Sequence, residues 1–139
     1  MKPDLIIIKT GEPMGKGRPR FTPSGHVFTP KKTKDFEIEL GIIARQTLEA
    51  AGLDTITVGI AVEIQAYFTV PKSWTRKKKS QAFSGEIFKK KPDIDNIAKI
   101  VLDGLNGIIF EDDSQVHSLT IKKAWGVPDA RIVVNIFVD

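Results

Sequence analysis

The 139-residue chain has no cysteine at all. That absence removes disulfide frameworks, thiol catalysis and cysteine-ligated zinc together. Histidine is almost missing as well. His26 and His117 are the only two, too few for a histidine-built metal centre. Long apolar runs are also lacking: Leu5-Ile6-Ile7-Ile8 falls far short of a signal-peptide core, and no other stretch approaches the roughly 18 residues of a membrane span. A cytoplasmic protein without membrane association is the expectation. There is no internal repeat and no low-complexity linker, so residues 1–139 read as one domain with a core of its own.

What is present is ordinary in amount and uneven in distribution. Apolar residues make up 41% and charged residues 27%, close to a typical globular protein. The net charge of +4 points only weakly to a polyanionic partner, because the total matters less than where the charges lie.

Leu5 to Lys9 reads as a short strand, and the Gly-, Pro- and base-rich stretch GEPMGKGRPRFTPSGHVFTP as a loop or hairpin. Thr29-Pro30 reads as a cap followed by proline at the first helical position. Phe36, Leu40, Ile43 and Leu48 share a face before Gly52, which predicts a helix over about 30–51. Alternation from Thr55 to Val70 predicts a long strand with its even positions buried. A helical piece WTRKKKSQAF capped by Ser73 comes next, then a helix from about Asp95 to Leu105 with Ile97, Ile100, Val101 and Leu105 inward. Val116 to Trp125 and Ile132 to Val138 complete the set as strands. The order β, α, β, α, α, β, β implies an α+β domain, a mixed β-sheet with helices packed on one face.

Basic residues are clustered. Lys16, Arg18 and Arg20 alternate in GKGRPRF, so an extended chain presents all three on one side as a phosphate track. Between Lys72 and Lys91, the bases Lys72, Arg76, Lys77, Lys78, Lys79, Lys89, Lys90 and Lys91 face the single acid Glu86. Phe88 and Trp74 stand within this field, where an aromatic ring can stack on an unpaired base, although packing is the stronger expectation for Trp74. The ordinary alternative for both clusters is a solvated surface.

The acids gather directly downstream, in KPDIDNIAKIVLDGLNGIIFEDDSQV. Asp93 and Asp95 precede or open a helix, and Asp112 and Asp113 lie in the turn after it. With the two helix ends about 15 Å apart at 1.5 Å per residue, convergence requires Ile108 to Phe110 to run back along the helix as a strand. Hard oxygen donors of this kind suit Mg²⁺ or Mn²⁺. Lys99 falls one turn beyond Asp95 on the same face, and Asp103 one turn further is a candidate ion-pair partner for it. An EF-hand is excluded, because DIDNIAK lacks the loop's fifth-position oxygen ligand and its sixth-position glycine. The plain alternative is that these aspartates are helix caps and turns. His117 begins a strand near Asp113, and His26 is a loop or hairpin residue.

KPDIDNIAKIVLDGLNG followed by EDDSQV closely resembles the RusA family of phage and bacterial Holliday junction resolvases. GEPMGKGRPRF resembles that family's basic opening motif, and FTVPKSW matches it too, so the resemblance covers most of the chain in order. It implies a Mg²⁺-dependent endodeoxyribonuclease, acting as a homodimer, that resolves four-way DNA junctions by paired nicks in recombination and repair. It further implies that Asp93, Asp95 and Asp113 are metal-binding acids and Lys99 the catalytic lysine, with Asp112 structural. Two other readings stay open: a non-catalytic basic DNA-binding module, and a nuclease acting on other branched DNA or RNA.

Overall fold

The computed structural model describes residues 1–139. Its elements are β1 (Leu5–Thr10), β2 (Arg20–Phe21), β3 (Val27–Phe28), α1 (Lys31–Ala51), β4 (Ile60–Phe68), α2 (Arg76–Phe83), α3 (Ile94–Leu105), a 3₁₀ turn (Asp113–Gln115), β5 (Val116–Trp125) and β6 (Arg131–Val138). Strands β1, β6, β4 and β5 lie side by side in that order. β5 runs parallel to β4, while β6 is antiparallel to both β4 and β1, so the sheet is mixed. β2 and β3 form a separate small hairpin.

Period-two patterning decides which face is covered. Ile60, Val62, Ile64, Ala66 and Phe68 of β4 are all buried, with Ile132, Val134 and Ile136 of β6 and Leu5 and Ile7 of β1 beside them. Onto this face α1 lays Phe36, Leu40, Ala44 and Leu48, and α3 lays Ile97, Ile100, Val101 and Leu105. α1 and α3 approach closely through glycine. A Cβ on Gly41 would stand 3.2 Å from the Gly104 carbonyl, and one on Gly104 would stand 3.2 Å from the Glu37 carbonyl. α3, which carries most of the acids, is thereby held against both the sheet and α1.

Several boundaries differ from the sequence expectation, each for a local reason. Pro30, not Thr29, is the residue before α1, and no side chain caps that helix. The predicted strand over 55–70 joins the sheet only at Ile60–Phe68, because Val58 leaves it and is 48% exposed. α2 is capped by Thr75 rather than Ser73, with the Thr75 hydroxyl accepting from the Lys78 N–H. Ile108 to Phe110 is not a strand running back along α3. Gly107 turns at φ +76°, Phe110 bridges to Asn106 and Ile56, and Ile109 and Phe110 plug the bottom of the core with no exposure. No helix is long and apolar enough to cross a membrane.

Candidate functional site

At its N-terminal end α3 presents two carboxylates. Asp93 is the residue before the first turn, yet its side chain makes no capping bond and pairs with the Lys91 ammonium at 3.2 Å. Asp95 lies in the first turn, where a negative charge is favoured by the helix dipole. Lys99, one turn further on, is exposed like Asp95, and the two form no ion pair. Their oxygens and ammonium are left to solvent.

Two straps fix this end in space. The first is the N-terminal loop: the Lys16 N–H donates to the Asn96 carbonyl at 2.8 Å, and Gly15 sits so close that a Cβ there would be 2.7 Å from Pro92 Cβ. Glycine is therefore required by contact at Gly15. The second strap is Lys123 of β5, whose ammonium donates to the carbonyls of Lys89 at 2.7 Å, Pro92 at 3.1 Å and Lys90 at 3.3 Å. Between the straps lies a cleft of about 440 Å³ lined by Glu12, Gly15, Lys89, Lys91, Asp93 and Asn96 among others. Glu12 is occupied there, accepting from the Thr69 hydroxyl at 2.6 Å and from its N–H.

The C-terminal end of α3 leads to the other pair of acids. The Asp112 carboxylate accepts from the Ser114 N–H at 3.0 Å, and the Gln115 carboxamide oxygen accepts from the Asp112 N–H, so the two residues cap the 3₁₀ turn reciprocally. Bonds from Ser114 hold the Asp112 carboxyl below the usual carboxylate range. Gln115 also donates to the Ile56 and Val58 carbonyls at 2.8 and 2.9 Å, pinning the turn to the segment before β4. Asp113 beside it is exposed and its carboxylate has no hydrogen bond or ion pair.

The five aspartates thus divide. Asp103 pairs with Lys16 at 2.9 Å, not with Lys99, and Asp112 caps a turn. Asp93, Asp95 and Asp113 keep carboxylate oxygens free, the donor chemistry a hard divalent cation takes. Within one chain, however, these three do not meet, and no three acidic or histidine side chains converge anywhere. Lys123, near the end of β5, reaches Pro92, whereas Asp113 precedes the start of that strand. At about 3.3 Å per strand residue the separation is roughly 20 Å.

The basic residues also divide. Lys16 faces inward: its ammonium pairs with Glu37 of α1 and Asp103 of α3. Burial pulls its pKa down, but the bonds to Glu37 and Asp103 outweigh this and leave it above the ordinary lysine value. The expectation of three bases on one side does not describe Lys16, which straps helices together, whereas Arg18 and Arg20 are exposed. On α2, Arg76 and Lys77 are exposed, Lys78 lies 4.5 Å from the Trp74 ring and Lys79 is half-buried. Lys90 and Lys91 are exposed, and Lys89 stands 5.6 Å from the Phe68 ring. Trp74 packs edge-on against Trp125 at 5.2 Å. His117 pairs with Asp139 at 2.9 Å, and His26 lies exposed in the β2–β3 hairpin.

Sequence reasoning overlooked Gln115 and Lys123. Lys123 had a signal, since it falls in phase with Ile121 and Trp125 on an alternating strand, where a lysine must find carbonyls.

The family model described as "Endodeoxyribonuclease RusA" matches residues 10–137, a span that contains both ends of α3 and both straps. The chain is also 37% identical over 122 residues to a protein of Bacillus subtilis (strain 168) described as "Uncharacterized protein YqaN", with 83% of each chain covered.

Proposed function

The chain belongs to the RusA endodeoxyribonuclease family, and from that premise we propose that it is a Mg²⁺-dependent resolvase of four-way DNA junctions that works as a homodimer in recombination and repair. The observation that carries the dimer is the separation of the free acids. Asp93 and Asp95 sit at one end of α3 and Asp113 beyond the other, roughly 20 Å away, so one chain alone supplies an incomplete ligand set. A two-fold axis running alongside the middle of α3 would set Asp93 and Asp95 of one copy beside Asp113 of a second, and do so twice. Two sites related by symmetry are what two symmetric nicks require. The groove between α1 and α3 offers a seat: Ile38 and Ile42 are 52% and 54% exposed there, with Ile108 opposite.

In this reading Asp93, Asp95 and Asp113 hold the ion. Mg²⁺, or Mn²⁺ in its place, supplies charge neutralisation at the scissile phosphate and a water acidified by coordination. Lys99 presents an ammonium one turn from Asp95, where it offsets negative charge growing on the phosphoryl oxygens. Lys91, Arg18, Arg20 and the bases of α2 hold the flanking backbone; each phosphate contact contributes mainly salt-sensitive affinity. The test is cleavage of a synthetic four-way junction with and without Mg²⁺, beside flaps, duplex and structured RNA. Paired nicks on the junction alone, only with the ion, are expected; binding without cleavage under any divalent ion would leave a DNA-binding module.

A further inference from the structure

Phe88 is 71% exposed and Phe83, the last residue of α2, is 53% exposed. The backbone on each side of Phe88 is tied down. The Trp125 indole N–H donates to the Ile87 carbonyl at 2.8 Å, and the Lys123 ammonium donates to the Lys89 carbonyl at 2.7 Å. The Ile87 and Glu86 N–H groups both donate to the Gln81 carbonyl of α2. One exposed phenyl ring is ordinary, but Phe88 shares its hollow with a second exposed ring, Phe83, and covering both would remove apolar surface from water.

The surroundings state what kind of partner fits. Phe83 and Phe88 line a hollow of about 350 Å³ that also contains Lys89, Lys122 and Trp125 and no acidic side chain. Aromatic rings and lysines lining one hollow complement a base with its phosphates and disfavour an arginine- or lysine-rich peptide. The same segment continues through Lys90 and Lys91 into Asp93, so whatever rests on Phe88 lies within a few residues of the free acids.

Building on the resolvase reading, we propose that Phe88, with Phe83 in the same hollow, receives an unpaired base at the branch point of the DNA, making this hollow the part of the molecule that separates junction from duplex. Arm contacts through lysine and arginine are blind to branching, whereas stacking requires a base that has left its pair. The ring needs no rearrangement to present itself, because Trp125 and Lys123 already hold its backbone.

The experiment uses a four-way junction carrying 2-aminopurine at the branch point, and a second junction carrying it within an arm, titrated with the full chain in metal-free buffer. Wild-type protein should change the emission of the branch-point probe only. Phe88→Ala should abolish that change and weaken junction affinity about tenfold, with duplex affinity and melting temperature unmoved, and Phe88→Trp should restore both. An unchanged junction-to-duplex ratio in Phe88→Ala would overturn the inference. So would a loss of self-association in that variant by sedimentation, which would assign the ring to a contact between copies. The readout is binding without metal, so a wild-type protein that binds but never cuts defeats the resolvase reading while leaving the stacking result to be read separately.

Discussion

The two ends of α3 carry the same residue type and are built on different plans. At the N-terminal end Asp95 is left free and Asp93 meets only the exposed Lys91 ammonium, and the backbone beneath them is held from far away in sequence, by Lys16 from the opening loop and Lys123 from β5. At the C-terminal end one acid of the pair is used locally as a cap and its neighbour is turned outward, with Gln115 as the pin. Free carboxylates repel each other, and each sits on a scaffold fixed by other groups. The comparison teaches that position in the chain says little about which aspartate is available. What matters is which aspartates the surrounding donors have already taken.

The largest effect expected from this division concerns the free acids. Asp93→Asn and Asp113→Asn should each lower Mg²⁺-dependent junction cleavage on the order of 10³-fold or more, with folding intact. Mixing the two inactive proteins should then restore activity. In a heterodimer one site carries both changes and the other neither, so random exchange returns about one quarter of wild-type nicking. Single-turnover rates of each variant and of the mixture measure this. A dead mixture that demonstrably exchanges subunits would place all three ligands in one chain.

Next comes the strap at Lys16. Lys16→Ala leaves Glu37 and Asp103 without their shared cation and should destabilise the fold by about 1–3 kcal/mol. Its effect on the salt dependence of DNA binding should be close to none, whereas Arg18→Ala or Arg20→Ala should each reduce the log–log slope by about 0.9 on duplex DNA. A slope change in Lys16→Ala equal to theirs would return Lys16 to the phosphate track. Denaturant melts and salt titrations of binding read the two effects separately.

Much of the fold was legible because it follows from periodicity. Ile60 to Phe68 alternate and are buried alternately, and Ile97, Ile100, Val101 and Leu105 are spaced for one helical face. That acids flank both ends of α3 is plain in KPDIDN and EDDSQV; how they are arranged in space is not. The sequence expectation required Ile108 to Phe110 to carry the chain back along α3, and three strand residues span only about 10 Å. Instead Ile109 and Phe110 are fully buried as a plug, and β5 makes the return, delivering Lys123 rather than Asp113 to Pro92. Strand pairing is long-range and leaves no local mark. Likewise nothing in GKGRPRF distinguishes the inward Lys16 from the outward arginines, because Glu37 and Asp103 are distant in the chain.

A smaller effect is expected at the pin of the C-terminal end. Gln115→Ala removes donors from the Ile56 and Val58 carbonyls and an acceptor from the Glu111 and Asp112 N–H groups. Partial exposure limits the loss to about 1–3 kcal/mol, or roughly 3 °C in Tm per kcal/mol at this chain length. The concentration of Mg²⁺ required for cleavage should rise, because Asp113 rides on the loosened turn. A melting scan and a Mg²⁺ titration of the rate test this.

The smallest effect belongs to Asp112, and it sharpens the contrast with the acid next to it. Bonds from Ser114 lower the folded-state pKa of Asp112 beneath its ordinary value of 3.8. For a carboxyl depressed on folding, the stabilisation is present above the unfolded value and disappears as pH falls through the folded one. The turn is therefore indifferent to pH across the neutral range and frays only in acid, below 3.8. Hydrogen exchange at the Ser114 and Gln115 amides, followed from pH 7 downward, should show protection lost in that window. Asp112→Asn keeps an acceptor for the Ser114 N–H and removes the titration, so the acid step should vanish while junction cleavage stays close to wild type. Asp113→Asn should do the reverse, leaving the acid step in place and removing cleavage. If Asp112→Asn instead silences the enzyme as fully as its neighbour does, both acids serve the site, and the division between a capping and a ligand aspartate fails at this turn.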